Sequence, residues 1–325
     1  MKLCLSFGGD LPAYKLAMAQ QMGVKYAMAS LPFGAPYLNG QRPWDYEPMM
    51  RMQQHFRDNG LEILVIESAP PMEKARLGLP GAEEEIDWFC QMVENMGRLG
   101  IPVVCYNWMA QIGWYRTSTT TPGRGGALVT RFTLADIAGA PPAPHAPVSH
   151  ELLWGTLEHF LKRVVPVAER WNVKLAMHPD DPPIPELRGI GRIMSSMAGY
   201  RRLLELVPSP VNGITLCQGN FAAMGADIPQ VIREFKDRLH FAHFRDIRGT
   251  AEDFVETFHE EGMTDMAAAM RAYAEIGYDG PVRPDHVPTL AGEDNSSPSY
   301  GVLGNLYAVG YMKGLAEAVQ PGFLE

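Results

Sequence analysis

Lys174-Leu175-Ala176-Met177-His178-Pro179-Asp180-Asp181-Pro182-Pro183 is the stretch that sorts this chain into a fold class. A short apolar run stops at a histidine, and a polar turn stiffened by three prolines follows. Such a run reads as a strand buried on both faces, and the turn marks its carboxyl end. Just ahead, residues 152–171 carry Leu153, Leu157, Phe160, Leu161 and Val164 at three- and four-residue steps, the spacing of one helix face. Behind the turn, residues 192–207 read as the next helix.

The same alternation extends in both directions. Short apolar runs at 2–7, 25–29, 62–66, 103–106, 174–177, 213–216, 239–243 and 281–283 predict eight strands. Helices are expected at 13–22, 46–59, 83–99, 152–171, 192–207, 229–235, 263–276 and 303–318. Asp227-Ile228-Pro229 opens one of them with a capping residue and an early proline. Eight strand–helix units favour an α/β fold of the closed (β/α)8 (TIM) barrel type over an open doubly wound sheet, and 325 residues suit one such domain spanning 1–325. The turn Gly8-Gly9-Asp10 is too slight for a dinucleotide site, and no P-loop pattern occurs. The longest irregular segment, 111–147, is rich in Thr, Gly, Pro and Ala. It follows the fourth strand and is expected to lie over the barrel mouth as an active-site lid.

Composition narrows the function classes. A net charge of −9 argues against nucleic acid as the partner, although a few local arginines still suit an anionic small molecule. No apolar run is long enough for a membrane span, and the amino-terminal run is too short for a signal peptide. Four scattered cysteines, Cys4, Cys90, Cys105 and Cys217, predict free thiols in a reducing cytoplasm.

In a (β/α)8 barrel, polar residues just past the strand ends converge on one site. Taken in order, those positions hold Glu67, Asn107, His178, Cys217, His243 and Asp285. Two imidazoles, a thiolate and a carboxylate suit a divalent transition metal of borderline softness: Mn2+, Fe2+, Co2+ or Zn2+. Each residue also has a plainer role. A histidine after a strand is commonly a satisfied polar group, and a lone cysteine a small hydrophobe. An aspartate there otherwise caps a turn. His240 and His243 differ by an odd number of residues and face opposite sides of a strand. His243, nearer the carboxyl end, takes the ligand place.

These residues sit in motifs that resemble the mannonate dehydratase family, a branch of the xylose-isomerase-like barrels. They include Val65-Ile66-Glu67-Ser68-Ala69-Pro70, Val104-Cys105-Tyr106-Asn107-Trp108-Met109, Trp114-Tyr115-Arg116-Thr117, the His178-to-Pro183 turn, Gly213-Ile214-Thr215-Leu216-Cys217, Arg283-Pro284-Asp285-His286 and Pro298-Ser299-Tyr300. The resemblance runs along most of the chain. It implies a hydro-lyase that turns D-mannonate into 2-keto-3-deoxy-D-gluconate in hexuronate breakdown, with a divalent ion such as Mn2+. It puts the metal ligands on His178, Cys217, His243 and Asp285, and the proton-transfer groups on Tyr300 and His286, beside Asp285.

Dehydration removes a weakly acidic C2 proton and expels hydroxide from C3, so a base and an acid are needed beside a charge-stabilising cation. Arg116 and Arg245 are the candidates for pairing with the substrate carboxylate, against a structural ion-pair role. Glu67 and Asn107 are expected to bind hydroxyls, and Trp108 to cover the sugar's apolar face. The chain departs from the family in a shorter 133–150 segment and in Val287, where glycine usually follows the Arg-Pro-Asp-His motif. Because the long insertion helps form contacts, the assembly, a homodimer or homotetramer, is left open. The alternatives are a sugar isomerase or epimerase on the same barrel, and a metal-containing sugar-binding barrel without activity.

Overall fold

The computed structural model describes residues 1–8 and 11–325; of the Gly8-Gly9-Asp10 turn, Gly9 and Asp10 lie outside the described residues. Eight parallel strands close into a barrel. They are Lys2–Phe7 (β1), Tyr26–Ala29 (β2), Glu62–Ile66 (β3), Val103–Tyr106 (β4), Lys174–Met177 (β5), Asn212–Cys217 (β6), Leu239–Phe244 (β7) and Pro281–Pro284 (β8). The ring closes where β1 pairs with β8, Lys2 opposite Pro281 and Leu3 opposite Val282. All eight expected strands form, with ends displaced by a residue at most.

Cys4, Met28, Val65, Val103, Cys105, Ala176 and Phe241, contributed by six strands, form a small cluster apart from the main apolar core. Separation from the helix-facing core places this cluster inside the barrel. Strand alternation then carries His243 inward with Phe241, whose ring lies 4.6 Å away, while His240 turns outward. The other core lies between strands and helices, among them His150–Trp171, which contributes Leu153, Leu157, Phe160, Leu161 and Val164.

Two helices begin later than the sequence pattern suggests, because a cap decides the start. Ser196 Oγ accepts from Gly199 N, so that helix opens at Met197; Asp265 accepts from Ala268 N, so the later one opens at Met266. Asp227 caps its helix as expected. Short helices at Glu73–Leu77 and Gln218–Ala223 were not anticipated.

The largest correction concerns 111–147. Where an irregular run was expected, the segment contains strands Ser118–Pro122 and Leu128–Thr133. These pair in order with Asp253–Glu256 and Ile247–Thr250, a hairpin that follows β7, to make a four-stranded antiparallel sheet beyond the strand ends. Threonine and β-branched residues favour such strands, but the Gly and Pro around them dominate a local reading. Among the described residues no helix is long and apolar enough to cross a membrane.

Candidate metal and substrate site

Four donors converge from four neighbouring strand ends. His178 follows β5, where its backbone N–H continues the barrel ladder to the Tyr106 carbonyl at 2.7 Å. Its ring Nδ1 lies 2.8 Å from the Pro179 carbonyl, which holds the proton on Nδ1 and frees Nε2. Cys217 ends β6, His243 lies near the end of β7, and Asp285 follows β8. The ligand atoms of His178, Cys217 and His243 all lie within 4.8 Å of one another. Asp285 Oδ2 lies 3.4 Å from Cys217 Sγ and 3.5 Å from His243 Nδ1.

These residues fit a divalent cation on chemistry and on electrostatics. Buried His243 Nδ1 has no hydrogen-bond partner among the described residues, whereas Nε2 lies 3.4 Å from Glu67 Oε1. Nε2 also accepts from Arg283 Nε at 3.2 Å, so Nδ1 is the ring nitrogen left open for a cation. The thiols differ in a telling way. Burial pushes the Cys105 thiol up to about 12. Burial opposes ionisation of Cys217 too, but Arg245, helped by His178 and His243, brings that thiol down to about 6 despite Asp285. Asp285 is likewise desolvated, yet Arg283, His286 and His243 hold its carboxyl well below the usual range.

Behind the donors runs a buried chain of ion pairs. Arg245 donates to Asp285 Oδ2 at 2.6 Å and to Asp181 Oδ2 at 3.2 Å, and also to Asn220. This close approach requires Gly219, since a Cβ there would lie 2.3 Å from the Arg245 guanidinium. Arg116 binds both oxygens of Asp181, reaches Glu256 Oε1 at 2.5 Å and donates from Nε to Thr130 at 3.2 Å. Arg283 bridges Glu67 at 3.1 Å and Asp285 at 2.8 Å. Three guanidinium groups thus face four carboxylates. With Cys217 ionised, the anionic groups outnumber these guanidinium groups, a balance that suits a divalent cation.

Two of the donors, His178 and Asp285, border a cavity of about 590 Å³ whose wall also includes Glu67, Asn107, His286 and Tyr300. The His286 and Tyr300 rings meet edge to face, 5.5 Å between centroids. Burial, with Asp285 and Glu67, raises the Tyr300 hydroxyl to about 12 against the pull of Arg283, so the phenol is protonated at neutral pH. His286 Nδ1 lies 2.7 Å from Glu256 Oε1. Burial works against a charge on Glu256, but His286, Arg116 and Arg245 outweigh it and hold the carboxyl well below its usual range.

Three expectations change. Arg116 and Arg245 are committed to buried carboxylates and are absent from the cavity wall; the guanidinium groups that do line it belong to Arg76 and Arg283. Trp108 turns into the core, where its Nε1–H donates to the Leu153 carbonyl at 3.1 Å and its ring lies 4.9 Å from Phe160. Trp114 borders the cavity instead, its ring 5.8 Å from His286. Asn107 does face the cavity, its side-chain oxygen accepting from Arg76 at 3.1 Å. Of the residues not anticipated, Asp181 and Arg283 lay inside the motifs already singled out; Glu256 and Arg76 carried no signal.

The chain is similar to known proteins along most of its length. A family model described as D-mannonate dehydratase (UxuA) matches residues 1–144 and 143–324. Mannonate dehydratase 1 of Halalkalibacterium halodurans is 32% identical over 97% of this chain and 96% of its own length. A mannonate dehydratase of Thermotoga neapolitana is 34% identical over 91% of this chain and 90% of its own. The crystal structure of mannonate dehydratase from Streptococcus suis superposes with a TM-score of 0.90 at 32% identity, covering 98% of this chain and 93% of that one. A D-tagatose 3-epimerase-like protein, at 14% identity and a TM-score of 0.62, shares the fold alone. By sequence along nearly its whole length and by structure, the chain belongs to the D-mannonate dehydratase family.

Proposed function

We propose that this chain is a metal-dependent hydro-lyase that converts D-mannonate to 2-keto-3-deoxy-D-gluconate and water. The observation that carries the reading is the convergence of His178, Cys217, His243 and Asp285, with His178 and Asp285 sharing one cavity wall with the His286–Tyr300 pair. Bound at those four donors, a divalent cation supplies Lewis-acid stabilisation of negative charge on the substrate carboxylate. Mn2+ is the proposed ion, and Fe2+, Co2+ and Zn2+ suit the same donors.

The proton steps fall to the chain's own residues. His286, whose Nδ1 faces Glu256, takes the C2 proton at Nε2. The Tyr300 phenol gives its proton to the C3 hydroxyl, the C3–O bond breaks and water leaves. The C2–C3 enol so formed becomes the 2-keto acid by taking a proton at C3 and releasing the one on its C2 oxygen. Asp285 serves as ligand, since Arg245 and Arg283 occupy its two oxygens. Glu67 and Asn107 bind substrate hydroxyls, and Trp114 covers the apolar face that Trp108 was expected to cover. Arg76, whose Nε has no partner among the described residues, anchors substrate in place of Arg116 and Arg245.

All four cysteines are free, which supports a reducing cytoplasm as the setting. A homo-oligomer is proposed through helix Val302–Val319, where Leu303, Leu306 and Tyr307 remain exposed. Product analysis tests the central reading. Incubation with D-mannonate and Mn2+ yields a 2-keto-3-deoxy acid lighter than substrate by one water. A product of unchanged composition instead assigns the barrel to isomerisation or epimerisation.

A further inference from the structure

One carboxylate in the buried chain does more than balance charge. Glu256 ends the strand Asp253–Glu256 in the sheet beyond the barrel mouth and is 5% exposed. A single oxygen, Oε1, meets His286 Nδ1 at 2.7 Å, Arg116 at 2.5 Å and Arg245 at 3.5 Å. His286 is equally buried, and its other nitrogen, Nε2, lies 3.8 Å from Asp285 Oδ1.

We infer that Glu256 is a positioning residue that selects the Nδ1–H tautomer of His286 and fixes its ring, so that the Nε2 lone pair faces substrate. This rests on the proposed dehydratase reading, in which His286 takes the C2 proton. A carboxylate accepts only, so a neutral imidazole beside it carries its proton on Nδ1. Without Glu256 nothing holds the proton on Nδ1, and the share of His286 with a free Nε2 lone pair falls. Glu256 is itself held from two sides. Arg116 grips it while tied to Thr130 of the neighbouring strand Leu128–Thr133, and that strand pairs with Asp253–Glu256. The mouth sheet, built from loops after β4 and β7, thereby becomes the arm that delivers a carboxylate to a residue following β8.

The test compares wild type, Glu256→Gln, Glu256→Ala and His286→Asn, each loaded with metal. Glu256→Gln keeps an oxygen acceptor for Nδ1–H, and kcat falls on the order of 10-fold. Glu256→Ala removes it, and kcat falls on the order of 10²- to 10³-fold, with KM changed by less than about 3-fold. The tautomer is read from histidine-ring ¹⁵N correlations in the Zn2+-loaded protein, the His286 signal being the one lost in His286→Asn. Wild type and Glu256→Gln show Nδ1–H, and Glu256→Ala moves toward Nε2–H. An Nε2–H tautomer in wild type overturns the inference, even where Glu256→Ala fails to fold. So does wild-type kcat in a folded Glu256→Ala. If His286→Asn itself keeps wild-type kcat, the proton-transfer reading of His286 has failed, which is a different result from an inactive His286→Asn beside a fully active Glu256→Ala.

Discussion

Cys217 Sγ lies 3.4 Å from Asp285 Oδ2, with both groups cut off from solvent. Two anions at that separation repel strongly in a low-dielectric setting unless a cation or a proton lies between them. Adding Mn2+ to metal-free protein therefore stabilises the fold. At a free-ion concentration 100 times Kd the gain is about 2.7 kcal/mol, seen as a rise in Tm. Cys217→Ser removes most of that rise while leaving the metal-free Tm close to wild type. An equal Mn2+-induced rise in Cys217→Ser contradicts the ligand assignment.

Arg116 offers a contrast between buried and exposed ion pairs. Truncation to alanine leaves Asp181 and Glu256 with unmatched buried charge, at a cost of about 3–5 kcal/mol. Arg201 makes a pair with Glu234 of similar distance on the surface, where solvent screens it, and Arg201→Ala costs far less. Urea unfolding of the two variants measures the difference, and equal losses would remove the structural role given to Arg116.

Arg76 tests where substrate is anchored. Its guanidinium lines the cavity and is steadied by the Asn107 carbonyl and side chain. Arg76→Ala raises KM for D-mannonate on the order of 10-fold with kcat little changed, the pattern of binding lost equally from ground and transition states. Steady-state kinetics check this; a fall in kcat at unchanged KM would place Arg76 in the chemistry instead.

His240 was the histidine set aside in favour of His243, and its burial gives it a different consequence. Burial, with Lys174 and Arg238 nearby, lowers its pKa to about 3. In the folded chain it is neutral, while the unfolded chain protonates it below about 6.5. Above that pH the two states bind no proton there and His240 contributes nothing. As pH falls from about 6.5 toward 3, the unfolded state binds the extra proton, and stability drops by about 1.4 kcal/mol per pH unit from this group. Comparing His240→Asn with wild type cancels every other titration. The variant loses less stability between pH 7 and pH 5, and parallel losses would show that His240 is not the group responsible.

Much of the site was legible because its donors close apolar runs. His178, Cys217, His243 and Asp285 each sit at the end of a strand whose direction is set by barrel closure, so a local pattern locates them. Beyond a strand end the chain is free to turn, and Trp108, one residue past cavity-facing Asn107, turns into the core. The roles of Arg116 and Arg245 depend on partners the local sequence does not reveal. Arg116 meets Asp181 across 65 residues and Glu256 across 140. The mouth sheet is hidden for the same reason, since Leu128–Thr133 finds its partner in Asp253–Glu256.

The most direct measurement titrates Mn2+ into metal-free protein in the presence of D-mannonate, following bound metal and 2-keto-3-deoxy-D-gluconate together. Product formation rises with occupancy, saturates at one ion per chain and vanishes in the Cys217→Ser/His243→Ala double variant. Product without metal, or undiminished turnover in the double variant, would contradict this.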